Sequence, residues 1–212
     1  MHLLFNFSTI TPMYVYLFLN GYDYNILIAS SFIVLLFSNF PDIDISNNRK
    51  SSTKIITSTF YFFFALFAIL SRKRKSIKHR GITHTFQGLI FFSTSVLIIW
   101  ILLLELPINA YWLYSPIIPL SAIVAYILHL LGDAVTKEGV DFFMNGKKIR
   151  GIIRVGKTDY AFASIYAILQ IFSLAYLNYL NMKAMIPFVT LIILAISSFF
   201  PIFLYYTNKD SR

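Results

Sequence analysis

Residues 112–133 read WLYSPIIPLSAIVAYILHLLGD, a stretch that carries no charge until Asp133 and places His129 four positions before it. A run of about 20 apolar residues, at about 1.5 Å per residue, is long enough to cross the hydrocarbon core of a bilayer as a helix. His129 and Asp133 then share one face of that helix, where an imidazole and a carboxylate can chelate one cation, and Thr136 continues the face. Ionisable groups at the end of such a segment are costly to place, so HLLGD reads as part of a site.

The pattern extends along the chain. Further apolar stretches lie at about 3–19, 26–40, 55–70, 86–106, 160–180 and 184–206. Of the 212 residues, 58% are hydrophobic, 18% aromatic and only 13% charged, and the mean hydropathy is +0.70. That leaves too little polar surface for a soluble domain and predicts an all-α polytopic membrane helical bundle, a single integral domain over 1–212. The stretches 3–19 and 26–40 are short for a span but fit a thin bilayer, with Tyr22 and Tyr24 near one interface. No basic region precedes the first stretch and no small-residue cleavage site follows it, so residues 3–19 are expected to stay in the mature protein.

Charge sets the sidedness. If six stretches span and 55–70 does not, 17 of the 18 Lys and Arg fall on one side, with only Lys183 opposite. The positive-inside rule makes that side cytoplasmic, with both termini there, in the cell (inner) membrane. A span over 55–70 would put Arg49, Lys50 and Lys54 across the membrane from the run Arg72–Arg80, so a re-entrant or interfacial helix is expected at 55–70.

This parity has a chemical consequence. His2, the PDID pair Asp42 and Asp44, the HRGITH pair His79 and His84, and His129 with Asp133 all come to one membrane edge. Pro41 ends the apolar run before PDID, and Gly81 separates the two histidines of HRGITH just before the stretch that opens at Phe86. Taken singly, these motifs have plain structural readings: a helix cap, a solvated helix end, a basic loop among headgroups. Their convergence favours a metal site. The chain has no cysteine, so ligands must be nitrogen and oxygen, which favours zinc and remains compatible with manganese or iron. Asp44, His84, His129 and Asp133 are the expected inner ligands, with His2 as a further metal ligand. Asp42 and His79 are expected to take catalytic roles, orienting ligands and moving protons, or to serve a second ion. Arg80 is placed to hold an anionic substrate group, because its planar fork suits phosphate or carboxylate. With Lys147, Lys148, Arg150, Arg154 and Lys157 it argues for an anionic substrate at the membrane surface, with a lipid-borne phosphoester as the leading candidate.

The order of HLL after Met1, PDID, HRGITH and HLLGDAVTKEGV resembles the YdjM-like family of membrane-bound proteins regarded as metal-dependent hydrolases, over roughly residues 2–160. HRGITH is the most specific part. The resemblance implies that His2, Asp42, Asp44, His79, His84, His129 and Asp133 match that family's acid and histidine positions, and Thr136 and Gly139 its following T-x-x-G. More remotely it points to zinc-dependent phospholipase C and related single-strand nucleases. Thr85 stands where that family commonly has Ser, Ile45 where it has His or another polar residue, and Asp159 where it has Glu. No extra histidines are present for a three-metal site.

The expected function is a membrane-embedded metal-dependent hydrolase acting at the cytoplasmic membrane surface on a phosphoester or other anionic substrate through a metal-activated water. The alternatives are a non-catalytic membrane protein that binds anionic lipid and a cation-handling transporter, which would need polar residues along the helix interiors. Membrane lipids are the expected partners. The net charge of +9 suits a membrane surface, and no nucleic-acid motif accompanies it.

Overall fold

The computed structural model describes residues 1–44, 82–106, 111–143, 145–156 and 158–210. Among them six α-helices follow in order: α1 (His2–Leu19), α2 (Tyr24–Phe37), α3 (Phe86–Leu104), α4 (Ile117–Ala134), α5 (Asp159–Tyr179) and α6 (Ile186–Asp210). Among the described residues four stretches are long and apolar enough to cross a membrane: α3, α4, α5 and the segment Lys183–Asn208, which covers all but the last two residues of α6. The predicted all-α membrane bundle is therefore what forms. α2 has only 14 residues, about 21 Å of helix against a core of roughly 30 Å. α1 is as long as α4 but interrupts its apolar run with buried Asn6, Ser8 and Thr9. The helix expected at 55–70 lies outside the described residues.

Local chemistry sets the turns. After α1, Tyr22 N donates to Leu17 O and Gly21 N to Phe18 O, closing a Schellman motif. Asp23 then caps α2, its Oδ1 accepting from Asn25 N at 2.7 Å. α1 and α2 thus form a tight antiparallel hairpin. The same device closes α5, where Met182 N donates to Leu177 O at 2.8 Å and Asn181 takes a φ of 57°. α4 starts five residues later than the apolar run suggests, because Tyr111–Tyr114 forms a separate 3-10 turn. Trp100 Nε1 holds that turn by donating to Leu113 O at 2.6 Å, and Pro116 precedes the first helical residue, where a missing N–H costs nothing.

α4 is the central helix. Two thirds of its membrane window, 67%, is buried, against 11% for α3. Its small residues Ser121, Ala122 and Ala125 are buried and let neighbours approach closely. α2 and α3 pack on α4, and α1 packs on α5 and α6 as well as on α4. One core joins Phe40, Phe92, Tyr126 and Leu130; a second joins Phe5, Val34, Leu128 and Tyr166. Polar bonds tie α1 to the bundle interior. Asn6 Nδ2 donates to Ala125 O at 3.1 Å, and Tyr166 OH pairs with Thr9 Oγ1 at 2.7 Å. With this packing the start of α1, the end of α2, the start of α3 and the end of α4 meet at one end of the bundle.

Candidate metal centre

At that end, among the described residues, four side chains from three segments face one another. The turn Pro41–Asp44 carries Asp42, which stays half-buried. The turn Ile82–His84 carries His84; directly after it Thr85 caps α3, its Oγ1 accepting from Gly88 N at 3.1 Å. His84 is thereby pinned where the chain turns into the membrane, and the Tyr126 hydroxyl of α4 donates to the carbonyl of Thr83 beside it. His129 and Asp133 come from the last two turns of α4. His84, His129 and Asp133 are all at most 1% exposed.

The donor atoms face one another. His84 Nε2 lies 3.2 Å from Asp133 Oδ2 and 3.3 Å from Asp42 Oδ1. His129 Nε2 lies 3.6 Å from each of the same two oxygens. All four ligand atoms fall within 4.8 Å of one another. A tetrahedral ion with ligands at about 2.0–2.2 Å has edges about 1.63 times longer, or about 3.3–3.6 Å. The four nitrogen-to-oxygen separations match those edges.

Hydrogen bonding fixes which imidazole atom faces inward. His129 Nδ1 sits 2.7 Å from the carbonyl oxygen of Ser38, which can only accept, so Nδ1 carries the proton. When neutral, the ring presents a bare Nε2 to the centre, the arrangement that metal-ligating histidines use. That Nε2 is buried without a hydrogen bond, its carboxylate neighbours at 3.6 Å being too distant to accept one. His84 Nδ1 similarly faces Thr83 Oγ1 at 3.1 Å, leaving Nε2 toward the carboxylates.

His2 forms a fifth wall. Its ring stacks on His129 with centroids 3.9 Å apart, and its Nε2 is 3.6 Å from Asp133 Oδ1. Gly132 makes room for it: a Cβ at position 132 would stand 2.8 Å from His2 Nδ1.

The electrostatics favour positive charge at the centre. Burial opposes ionisation of Asp42, but His129 and His84 outweigh it and hold the carboxyl well below the usual carboxylate range. Burial likewise opposes a proton on His84, yet the carboxylates of Asp133 and Asp42 raise its pKa above the ordinary imidazole value. Two carboxylates and two inward imidazole nitrogens at ligand spacing, on three buried residues and the half-buried Asp42, fit a divalent cation.

Of the residues anticipated from sequence, the structure brings together Asp42, His84, His129 and Asp133, with His2 alongside. Asp42, anticipated in a catalytic role behind Asp44, stands among the donor atoms; the side chain of Asp44 lies outside the described residues. So do His79, Arg80 and Lys157. Thr136 lies just past the end of α4 and donates its hydroxyl to Asp133 O at 2.7 Å. The Ser38 carbonyl, Thr83 and Gly132 escaped the sequence reading. A backbone carbonyl leaves no residue-type signal, whereas a glycine inside a membrane helix does hint at close approach.

A family model described as YdjM inner membrane protein matches residues 7–207. The chain belongs to the YdjM family. The resemblance drawn from PDID, HRGITH and HLLGD is thereby confirmed at the level of the family, and with it a membrane location. The match includes Asp42, His84, His129 and Asp133 but begins after His2. Neither a curated protein nor a solved structure matches the chain.

Proposed function

We propose that this YdjM-family protein is a membrane-embedded, metal-dependent hydrolase in which Asp42, His84, His129 and Asp133 hold one divalent cation, zinc by preference. The observation that carries the reading is the inward Nε2 of His129, oriented by the Ser38 carbonyl, at ligand spacing from two carboxylates. A cation held there would supply Lewis-acid activation of water and of the attacked ester. The chain does the rest. Asp133 and Asp42 provide charge, Ser38 and Thr83 orient the two imidazoles, and His2 lies against Asp133 and His129. Asp42 is the least buried of the four. The basic segment after α4, with Lys147, Lys148, Arg150 and Arg154, supports an anionic substrate, of which a phosphoester is the leading class. The one-sided distribution of Lys and Arg supports a cytoplasmic position for the centre.

A structural metal is the second reading, because four protein donors can saturate a tetrahedral ion, whereas catalytic sites keep a position open. One set of measurements separates them. Purified protein is expected to retain close to one equivalent of transition metal and to hydrolyse a generic phosphodiester. His84→Ala and Asp133→Ala should lose both. Asp42→Asn, on its short half-buried turn, should lower turnover by at least about tenfold while the fold persists. Metal-free protein with full activity would refute the metal reading, and metal-loaded protein inactive on every phosphoester tried would leave the structural role.

A further inference from the structure

The connection from α4 to α5 does more than join two helices. Over residues 135–156 the backbone folds back on itself, bridging Thr136 to Ile153 and Val140 to Ile149. Val140 and Ile149 exchange two hydrogen bonds of 2.9 Å, and Gly151 N donates to Thr136 O at 2.9 Å. The resulting platform is tied to two other membrane helices. Phe142 O accepts from Phe86 N, the first residue of α3, at 2.9 Å, and Lys148 O accepts from Tyr206 OH near the end of α6 at 3.0 Å. A loop bonded to the first turn of one span and the last turns of another sits at the level where the helices leave the bilayer.

Its surface is mixed in a particular way. Phe143 is 68% exposed, Val155 49% and Ile152 38%, and Lys147, Lys148 and Arg154 are exposed between them. The segment carries five basic residues against two acidic ones. One of the acids is occupied internally, as Asp141 accepts from Asn145 N at 3.1 Å and Gly146 N at 2.8 Å. Exposed apolar side chains interleaved with cations, held at the bilayer boundary, complement an anionic lipid surface: the apolar groups suit the acyl boundary and the cations the phosphates.

We infer that the α4–α5 loop is an interfacial anchor that seats Phe143, Ile152 and Val155 among the lipid chains and binds anionic phospholipid headgroups through Lys147, Lys148 and Arg154. Because the loop grows out of the helix end that carries Asp133, it holds an anionic lipid surface beside the centre, whether or not that centre is catalytic.

The absence of cysteine makes the test clean. Full-length Phe143→Cys and Val155→Cys proteins are spin-labelled and placed in nanodiscs of phosphatidylcholine, with or without phosphatidylglycerol. Both labels are expected to collide more with oxygen than with a water-soluble nickel chelate, as immersed positions do. Spin-labelled phosphatidylglycerol should associate in preference to phosphatidylcholine, and each of Lys147→Gln, Lys148→Gln and Arg154→Gln should reduce that preference up to about fivefold at low ionic strength. Nickel accessibility at both positions equal to that of a solvated site would overturn the inference. So would an unchanged lipid preference in the triple variant, or its removal by free inorganic phosphate, which would mark a site for a soluble anion. Two label positions guard against a single variant that fails to fold.

Discussion

Gly132→Ala separates the stability of α4 from the integrity of the centre, because the two respond with opposite signs. Alanine in place of glycine inside a helix gains about 0.5–1 kcal/mol. The added Cβ would stand 2.8 Å from His2 Nδ1 and 3.3 Å from Cε1, well inside a carbon contact distance of about 3.5 Å or more, so the ring must retreat by at least about 0.5 Å. His2 lies in the first turn of α1, at the end of a rotatable side chain, so it swings aside at little cost to the fold. It loses the 3.9 Å stack on His129 and the 3.6 Å approach to Asp133. Removing a group that orients metal ligands typically lowers affinity about 10- to 100-fold, or about 1.4–2.7 kcal/mol. The assay pairs a chelator-competition Kd for zinc with the thermal midpoint of the metal-free protein in detergent. Gly132→Ala should bind zinc about 10- to 100-fold more weakly with an equal or higher midpoint. His2→Gln should show the same loss of affinity, and the double variant no further loss, because both changes remove one ring from one place. Wild-type affinity in Gly132→Ala, or losses that simply add, would refute the reasoning.

Three further outcomes follow from the same geometry. Cation and proton compete for His84 Nε2, whose pKa the carboxylates raise, so affinity should be greatest above that pKa and fall as pH drops through it, by about tenfold per unit for each proton displaced; zinc titrations across the acidic range check the sign. Gly151→Ala places a Cβ 2.0 Å from the backbone oxygen of Val135, where nothing can swing away, and should destabilise the α4–α5 loop by at least about 1–3 kcal/mol, seen as faster proteolysis within 135–156. Tyr166→Phe removes the hydroxyl that joins Thr9 at 2.7 Å to Gln170 Nε2 at 2.8 Å. It should cost about 0.6–1.7 kcal/mol, read as a lower thermal midpoint with zinc affinity unchanged.

That Thr9–Tyr166–Gln170 chain also marks a limit of linear reading. Buried Asn6, Thr9 and Gln170 give the helix interiors more polar groups than the apolar runs suggest, and only packing shows that they bond one helix to another. Gln170 Nε2 reaches Thr190 O at 3.3 Å, and Asn6 reaches Ala125 O. These bonds join α1, α4, α5 and α6, and they read as interhelical ties.

Sequence by itself determined the membrane class, the helical architecture, the family and the His129–Asp133 pair. Each of these depends on local physics: the length of an apolar run against the bilayer, the i, i+4 face of a helix, the order of short motifs. Tertiary structure alone decided how the centre closes. PDID offers two carboxylates, and in a turn of about three residues per revolution, residues two apart stand about 240° round the axis, so spacing alone does not say that Asp42 meets His84 and His129. The packing of that turn against α4 brings Asp42 there. The Ser38 carbonyl that sets the His129 tautomer and the glycine that admits His2 are equally matters of rotation and approach between helices distant in sequence. Such contacts are set by how whole helices settle against one another, which no local pattern encodes.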